Sequence, residues 1–261
     1  MDAQAPEVSV VIPVYNEQDN VEALAEEVER ALESSGLTWE CLWVDDGSTD
    51  ATAEKLRRIA VGDPRSRHRF LRFEKNAGQS AALWAGFRHA RGVLIATLDG
   101  DGQNDPADLP RLVAMVRSGE HDMVNGYRAE RRDALVRRVA SRIANAFRNW
   151  VTGKTVRDVG CSTRVFRREC VAHLPPFKGL HRFLPTLVVL YGYRITETPV
   201  RHRPRRAGVT KYGIHNRLWV GLLDSFGVWW LKKRAFRYRI AEIFPRQEGS
   251  FGDPKRGGRG A

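Results

Sequence analysis

The sequence predicts an α/β chain built on a doubly wound, mostly parallel sheet. Three observations carry that expectation. Short apolar runs rich in β-branched residues alternate with helical patterns through the first half of the chain. Those runs are apolar throughout rather than alternating, as expected of strands covered by helices on both faces. Acidic turns recur at the carboxyl ends of the runs, where sheets of this kind bind their ligands.

The elements follow in order. Val8–Val14 (VSVVIPV) is the first buried strand. Apolar residues at Val21, Leu24, Val28 and Leu32 then recur at helical spacing, and Gly36 closes that helix. Residues 39–44 form a second strand, and the turn DDGSTD follows, with Ser48 or Thr49 placed to cap a helix carrying Leu56 and Ile59. Residues 70–73 are a third strand and 77–90 a third helix. A fourth strand over 93–98, a helix over 106–117 and a fifth strand over 123–126 complete the regular part. A further helical stretch spans 133–151.

Composition narrows the function classes. The 261 residues include 43 Lys+Arg against 31 Asp+Glu, a formal charge of +12 that predicts an anionic partner. The three cysteines, Cys41, Cys161 and Cys170, have no CxxC spacing, so neither a zinc site nor a disulfide framework is indicated, and a reducing compartment is expected. The first ten residues do not read as a signal peptide, and no run reaches the length of a transmembrane helix. No Gly-x-Gly-x-x-Gly follows the first strand and no Gly-x-x-x-x-Gly-Lys loop occurs, so the usual dinucleotide and ATP loops are absent.

The strand ends carry carboxylates instead. PVYNE (13–17), DDGSTD (45–50) and DGDGQ (99–103) all follow predicted strands and should converge on one crevice. Carboxylates do not hold phosphate directly; they need a divalent cation between. Asp99, Asp101 and the amide oxygen of Gln103 form a hard-oxygen set suited to Mg²⁺ or Mn²⁺ completed by substrate phosphates. Gly100 and Gly102 permit close approach of backbone and ligand. An Asp-x-Asp at a strand end is also a common turn. Two further acidic strand ends in the same crevice distinguish this one.

These residues resemble the family 2 glycosyltransferases of the GT-A fold. The likeness is greatest to the group of dolichol-phosphate mannose synthases and bacterial polyprenyl-phosphate sugar transferases. VSVVIPVYNE, VDDGSTD, LDGDGQNDP, NGYR (125–128), RRVAS (137–141), RDVGCS (157–162) and PRRAGVTKYG (204–213) occur in the family's order over about residues 7 to 235. The resemblance implies that Pro13, Tyr15, Glu17 and Val44 cradle the nucleotide base. It implies that Asp46 contacts base or ribose, with Asp45 supporting the turn. Asp99, Asp101 and Gln103 would hold the metal on the donor diphosphate, with Gly100 beside them. Arg128 would reach phosphates of donor and acceptor. Arg205 and Lys211 would belong to a loop closing over the donor, with Gly208 present and Thr210 in place of the usual Ser. Arg137 and Ser141, four apart on one helical face, would clamp the acceptor phosphate. Asp158 would lie near the acceptor, as base or positioning group, and His181 in HRFLP would touch acceptor or sugar. RDVGCS departs from the Ser-Gly-Phe of mannose synthases and looks more like transferases of modified sugars to undecaprenyl phosphate.

The implied activity is inverting, metal-dependent transfer of a sugar from a nucleoside diphosphate to a polyprenyl phosphate. The other readings are transfer to a sugar hydroxyl or another lipid, or a non-catalytic nucleotide- or nucleic-acid-binding module. Converging aspartates argue against nucleic acid, which needs a basic groove with stacking aromatics. Residues 218–231 (LWVGLLDSFGVWWL), followed by KKR, read as an interfacial segment facing anionic lipid on the cytoplasmic side of a membrane. That segment can also serve to pack on the sheet, a membrane-embedded partner or a second copy. The expected layout is a catalytic domain over 1–213, an amphipathic segment over 214–246 and a disordered basic tail over 247–261.

Overall fold

A computed structural model describes residues 5–129, 156–204 and 214–234, with side chains from 224 onward in the last segment. The chain forms a seven-stranded sheet in the order β3-β2-β1-β4-β6-β5-β7. The strands are β1 (Val8–Val14), β2 (Trp39–Asp45), β3 (His68–Arg72), β4 (Leu94–Thr97), β5 (Met123–Arg128), β6 (Arg164–Arg167) and β7 (Ile195–Val200). Among these, β1 to β4 pair in parallel, β7 pairs in parallel with β5, and only β6 runs antiparallel, between β4 and β5. The predicted mostly parallel sheet is therefore present.

Helices cover both faces. On one side lie α1 (Val21–Glu33), α2 (Thr52–Gly62) and α4 (Leu109–Arg117). On the other lie α3 (Gln79–His89) and α5 (Leu180–Leu190). α1 shows why the sequence folds this way: Val21, Leu24, Ala25, Val28 and Leu32 make one buried stripe against β1 and β2. Every residue of β1 and of β2 is buried, as a strand between two helical layers requires. A last helix, α6 (Ile214–Arg234), sends Val228 into the second layer, and Leu231 packs against it.

Most boundaries shift by one or two residues, and three differences from the sequence expectation have a physical reason. The helix expected over 106–117 opens as a 3-10 turn, Pro106–Asp108, because the second proline, Pro110, fits only in the first turn of the α-helix that follows. Ser48 and Thr49 do not cap α2. Ser48 Oγ accepts the Asn16 amide at 2.9 Å, and the Thr49 amide donates to Asn16 Oδ1 at 2.8 Å, so both tie DDGSTD to the loop after β1. β5 runs on to Arg128 rather than stopping at Gly126, because β7 pairs with it along its whole length. The stretch expected to be helical over 133–151 and the tail lie outside the described residues.

Candidate active site

The topology gathers one set of loops at one edge of the sheet. The carboxyl ends of β1, β2, β3, β4, β5 and β7 lie there, and β6, being antiparallel, brings its amino end to the same edge. Residues 156–163 thereby join the loops that follow β1, β2 and β4.

The loop after β2 is an anchored turn. Asp45 is fully buried; its Oδ1 accepts the Ser48 amide at 2.9 Å, and its Oδ2 lies 3.3 Å from Arg72 Nε. Asp46, also buried, accepts the amides of Ala77 at 2.7 Å and Gly78 at 2.9 Å and the Asn76 side chain at 3.0 Å. Its carboxylate therefore sits on the N-terminus of α3, where negative charge is favoured. Burial pushes the Asp46 pKa up, opposed by the amides of Ala77 and Gly78. Asp45 supports the turn as expected, but the Asp46 carboxylate is given to the β3–α3 turn.

Pro13 and Val44 are register partners on β1 and β2, and both are buried; Val44 belongs to the core layer under α3. Tyr15 and Glu17, one and three residues past the strand, are half-buried at the crevice, and Glu17 accepts the Asn20 side chain at 2.7 Å.

The loop after β4 is the centre of the site. Asp99 Oδ1 accepts Gln79 Nε2 from α3 at 2.8 Å, and the Asp99 amide donates to Asn104 Oδ1 at 3.1 Å. Asp101 Oδ1 accepts the Gln103 amide at 3.1 Å, which closes a tight turn through Gly102 at φ +70°. Gly100 has a different reason to be glycine than ligand approach. A Cβ there would lie 2.5 Å from Val14 Cγ1 and 3.1 Å from the Pro13 carbonyl, so the close approach is to β1. Burial first, and then the neighbouring Asp101 charge, raise the Asp99 carboxyl to a pKa of about 6, against the Ser162 hydrogen bond and the positive charges of Arg164 and Arg128. Gln103 is fixed through its main chain and side chain to Arg203: the Arg203 amide donates to its carbonyl at 2.8 Å, and its Nε2 donates to the Arg203 carbonyl at 3.4 Å. That leaves the amide oxygen as its acceptor atom.

These residues fit a divalent cation. The neighbouring Asp101 charge that helps to raise Asp99 is relieved by a cation placed between the two carboxylates. Among the described residues, no group of three or more His, Cys, Asp or Glu converges. An all-protein cage is therefore not what they build, and the Mg²⁺ pattern of one or two carboxylates plus ligand phosphates is the one that matches.

The floor beside this loop is basic. Asp158 binds Arg128 in bidentate fashion, Nε to Oδ2 at 2.7 Å and Nη2 to Oδ1 at 3.0 Å, and also accepts the Arg128 amide at 3.3 Å. With both oxygens on a guanidinium, Asp158 orients Arg128 rather than standing as a free base. Arg164, 3% exposed, donates to Asn125 Oδ1, the His181 carbonyl and the Val159 carbonyl. His181 Nδ1 lies 2.7 Å from Ser80 Oγ, and Ser80 Oγ accepts the Gly179 amide at 3.0 Å.

The structure thus brings together Tyr15, Glu17, Asp46, Asp99, Gly100, Asp101, Gln103, Arg128, Asp158 and His181 of the residues expected from sequence. Arg137, Ser141, Arg205, Gly208, Thr210 and Lys211 lie outside the described residues. Three partners were missed. Gln79 holds Asp99, Arg164 lies under the floor, and Asn104 links the Asp99 amide to Ser162 Oγ (2.9 Å) and Thr163 Oγ1 (2.8 Å). The only signal for Asn104 was its place in LDGDGQNDP; Gln79 and Arg164 read as ordinary helix and strand residues.

Comparison with known proteins identifies the family and the fold. Residues 9–174 match the family model described as Glycosyl transferase family 2. Dodecaprenyl-phosphate galacturonate synthase of Rhizobium johnstonii is 40% identical over 228 residues, 86% of this chain and 67% of that protein. Undecaprenyl-phosphate 4-deoxy-4-formamido-L-arabinose transferase of Edwardsiella ictaluri is 41% identical over 207 residues, 79% of this chain and 63% of that protein. The chain spans about two thirds of the length of these relatives. Among solved structures, glucosyl-3-phosphoglycerate synthase of Mycobacterium tuberculosis with Mg²⁺ and UDP superposes with a TM-score of 0.66 at 24% identity, over 85% of this chain and 80% of that one. The same enzyme with Mn²⁺, UDP-glucose and phosphoglyceric acid gives 0.64 at 23% identity, over 85% and 80%. The fold is therefore of the GT-A type, and on the family match and the identity to these relatives the chain belongs to glycosyl transferase family 2.

Proposed function

We propose that the protein transfers a sugar from a nucleoside diphosphate to a polyprenyl phosphate, with inversion at the anomeric carbon. The observation that carries this is the half-buried Asp99–Asp101 pair, in which the Asp101 charge helps to raise Asp99, set in one crevice with the Arg128–Asp158 pair. The names of the relatives, both polyprenyl-phosphate sugar transferases, support the acceptor class. A divalent cation held by Asp99, Asp101 and the Gln103 amide oxygen would neutralise charge on the leaving diphosphate. Tyr15 and Glu17 border the base. Arg128, aimed by Asp158, adds positive charge where phosphates of donor and acceptor meet. An oxygen of the acceptor phosphate attacks the anomeric carbon from the side opposite the diphosphate, whose C–O bond breaks. That nucleophile is already an anion at neutral pH, so no strong base is needed, which agrees with an Asp158 committed to Arg128. Arg137, Ser141, Arg205 and Lys211 complete the phosphate contacts in this reading by resemblance alone. Calorimetry with UDP, GDP and their sugar forms, with and without Mn²⁺, tests it. Binding of one nucleotide only with metal is expected; a folded sample that binds none would overturn the donor assignment.

The same reading sets the protein on a membrane surface. On α6, Ser225 and Val228 are buried, while Phe226, Trp229 and Trp230 are exposed next to Lys232, Lys233 and Arg234 in the last turn. Exposed apolar side chains so grouped mark a contact surface, and tryptophans beside a basic cluster suit an anionic lipid interface. Among the described residues, no helix is long and apolar enough to cross a membrane. The double substitution Trp229→Glu, Trp230→Glu is expected to lower partitioning onto phosphatidylglycerol vesicles about tenfold or more, leaving nucleotide binding intact. Unchanged sedimentation with vesicles would assign that face to a partner subunit or a second copy instead.

A further inference from the structure

Arg164 is the least economical residue at the site. It opens β6 opposite Thr97 of β4 and Asn125 of β5, and it is 3% exposed. Its three hydrogen bonds all go to neutral oxygens: Asn125 Oδ1 at 2.9 Å, the His181 carbonyl at 2.8 Å and the Val159 carbonyl at 2.7 Å. Among the described residues, no carboxylate lies within ion-pair distance of it. Removing a guanidinium from water without a directly paired anion is costly, and its three hydrogen bonds are what offset that cost.

What the guanidinium does hold is specific. Asn125 lies three residues before Arg128 on β5, Val159 follows Asp158 directly, and His181 is in the first turn of α5. One planar fork therefore reaches three segments, two of which carry the members of the Arg128–Asp158 pair; those two are also joined directly, Asn125 Nδ2 donating to the Asp158 carbonyl at 3.3 Å, whereas the fork adds the tie to α5. A lysine has neither the fork nor the reach to three separated oxygens. We propose that Arg164 is a positioning residue that holds the Arg128–Asp158 pair and His181 in place relative to Asp99 from beneath the site. Its effect on transfer rests on the function proposed above; its effect on geometry does not.

The test compares wild type with Arg164→Met, Arg164→Lys and Arg164→Ala, the last with and without added guanidinium ion. Displacement of aligned groups by about 1 Å costs on the order of 10²-fold in rate. Arg164→Met is expected to lose that much in kcat, with donor KM within about threefold of wild type. Guanidinium should recover at least about tenfold in Arg164→Ala, and Arg164→Lys should fall between. Amide hydrogen exchange in Arg164→Met should rise around 159–161 and 180–182 and stay protected in β1 and β2. Full kcat in Arg164→Met overturns the proposal. So does unchanged exchange at both segments, or recovery with glycerol as good as with guanidinium, which is the mark of a merely structural role. If Arg164→Met and Arg164→Ala fail to fold, Arg164→Lys decides by the same kcat-against-KM split and exchange pattern. A wild type that transfers no sugar sinks the proposed function, while the exchange data still decide Arg164.

Discussion

Replacing Asp101 by alanine is expected to lower sugar transfer about 10³-fold or more, with little change in the melting temperature of the metal-free protein. The two halves of that expectation have separate causes. For catalysis, Asp101 is one of the two carboxylates proposed to hold the cation, and no third acidic group, histidine or cysteine among the described residues converges with them. Losing one halves the protein's formal charge at the cation. For stability, the side chain is half-buried and accepts the Gln103 amide at 3.1 Å, a bond whose loss costs about 1 kcal/mol. Against that, its removal relieves the repulsion that raises Asp99. Asp101→Asn separates charge from hydrogen bonding, since it keeps the acceptor oxygen and should lose activity equally. Initial rates, together with melting curves recorded with and without Mn²⁺, check this. Wild-type protein should gain stability from Mn²⁺ and nucleotide by mass action, and neither variant should. An Asp101→Asn protein with wild-type turnover would remove Asp101 from the metal site.

How much of this was legible beforehand follows from the range of each interaction. β1 and the helix stripe Val21, Leu24, Val28, Leu32 are local patterns, and the structure reproduces them to the residue. The place of Asp99 and Asp101 on the loop after β4 was legible because the motif directly follows a predicted strand. β6, β7 and α5 were not predicted as elements. β6 is a four-residue strand whose antiparallel place between β4 and β5 depends on partners about 40 and 70 residues away. The hydrogen-bond partners of Asp46 and Asp158 were not legible for the same reason. A carboxylate in a turn reads as available until its partners are known, and those partners, Ala77 and Gly78 for one and Arg128 for the other, sit about 30 residues off. Pro13 and Val44 show the converse. Adjacent to a motif in sequence, they are consumed by the core because they lie within strands rather than beyond them.

Asp99→Asn is expected to inactivate the protein and, without metal at pH 7.5, to make it more stable by about 1–3 kcal/mol. The folded-state pKa of Asp99, about 6, lies about two units above its ordinary 3.8, chiefly because burial disfavours the anion. Below about pH 4 the group is neutral in folded and unfolded chains alike and contributes no difference. As the pH rises from about 4 to about 6, the unfolded chain releases this proton while the folded chain keeps it. Stability falls through that window, by at most about 3 kcal/mol at 1.36 kcal/mol per unit. Above about 6 both are ionised and the deficit is constant. Asparagine carries no such deficit and retains an oxygen for the 2.8 Å bond from Gln79 Nε2. Urea unfolding in EDTA at pH 4, 5, 6 and 7.5 should therefore find the two proteins nearly equal at the acid end and the variant ahead at the other. Adding Mn²⁺ at pH 7.5 should reverse the order, because only the wild type has the charge pair to bind it. A variant that is less stable at pH 7.5, or equally advantaged at pH 4, would mean that Asp99 is not an anion held at a cost. The carboxylate persists in a place where the fold alone would favour its neutral isostere, and in the proposed function the term that offsets this is a bound cation, which the unfolded chain does not hold.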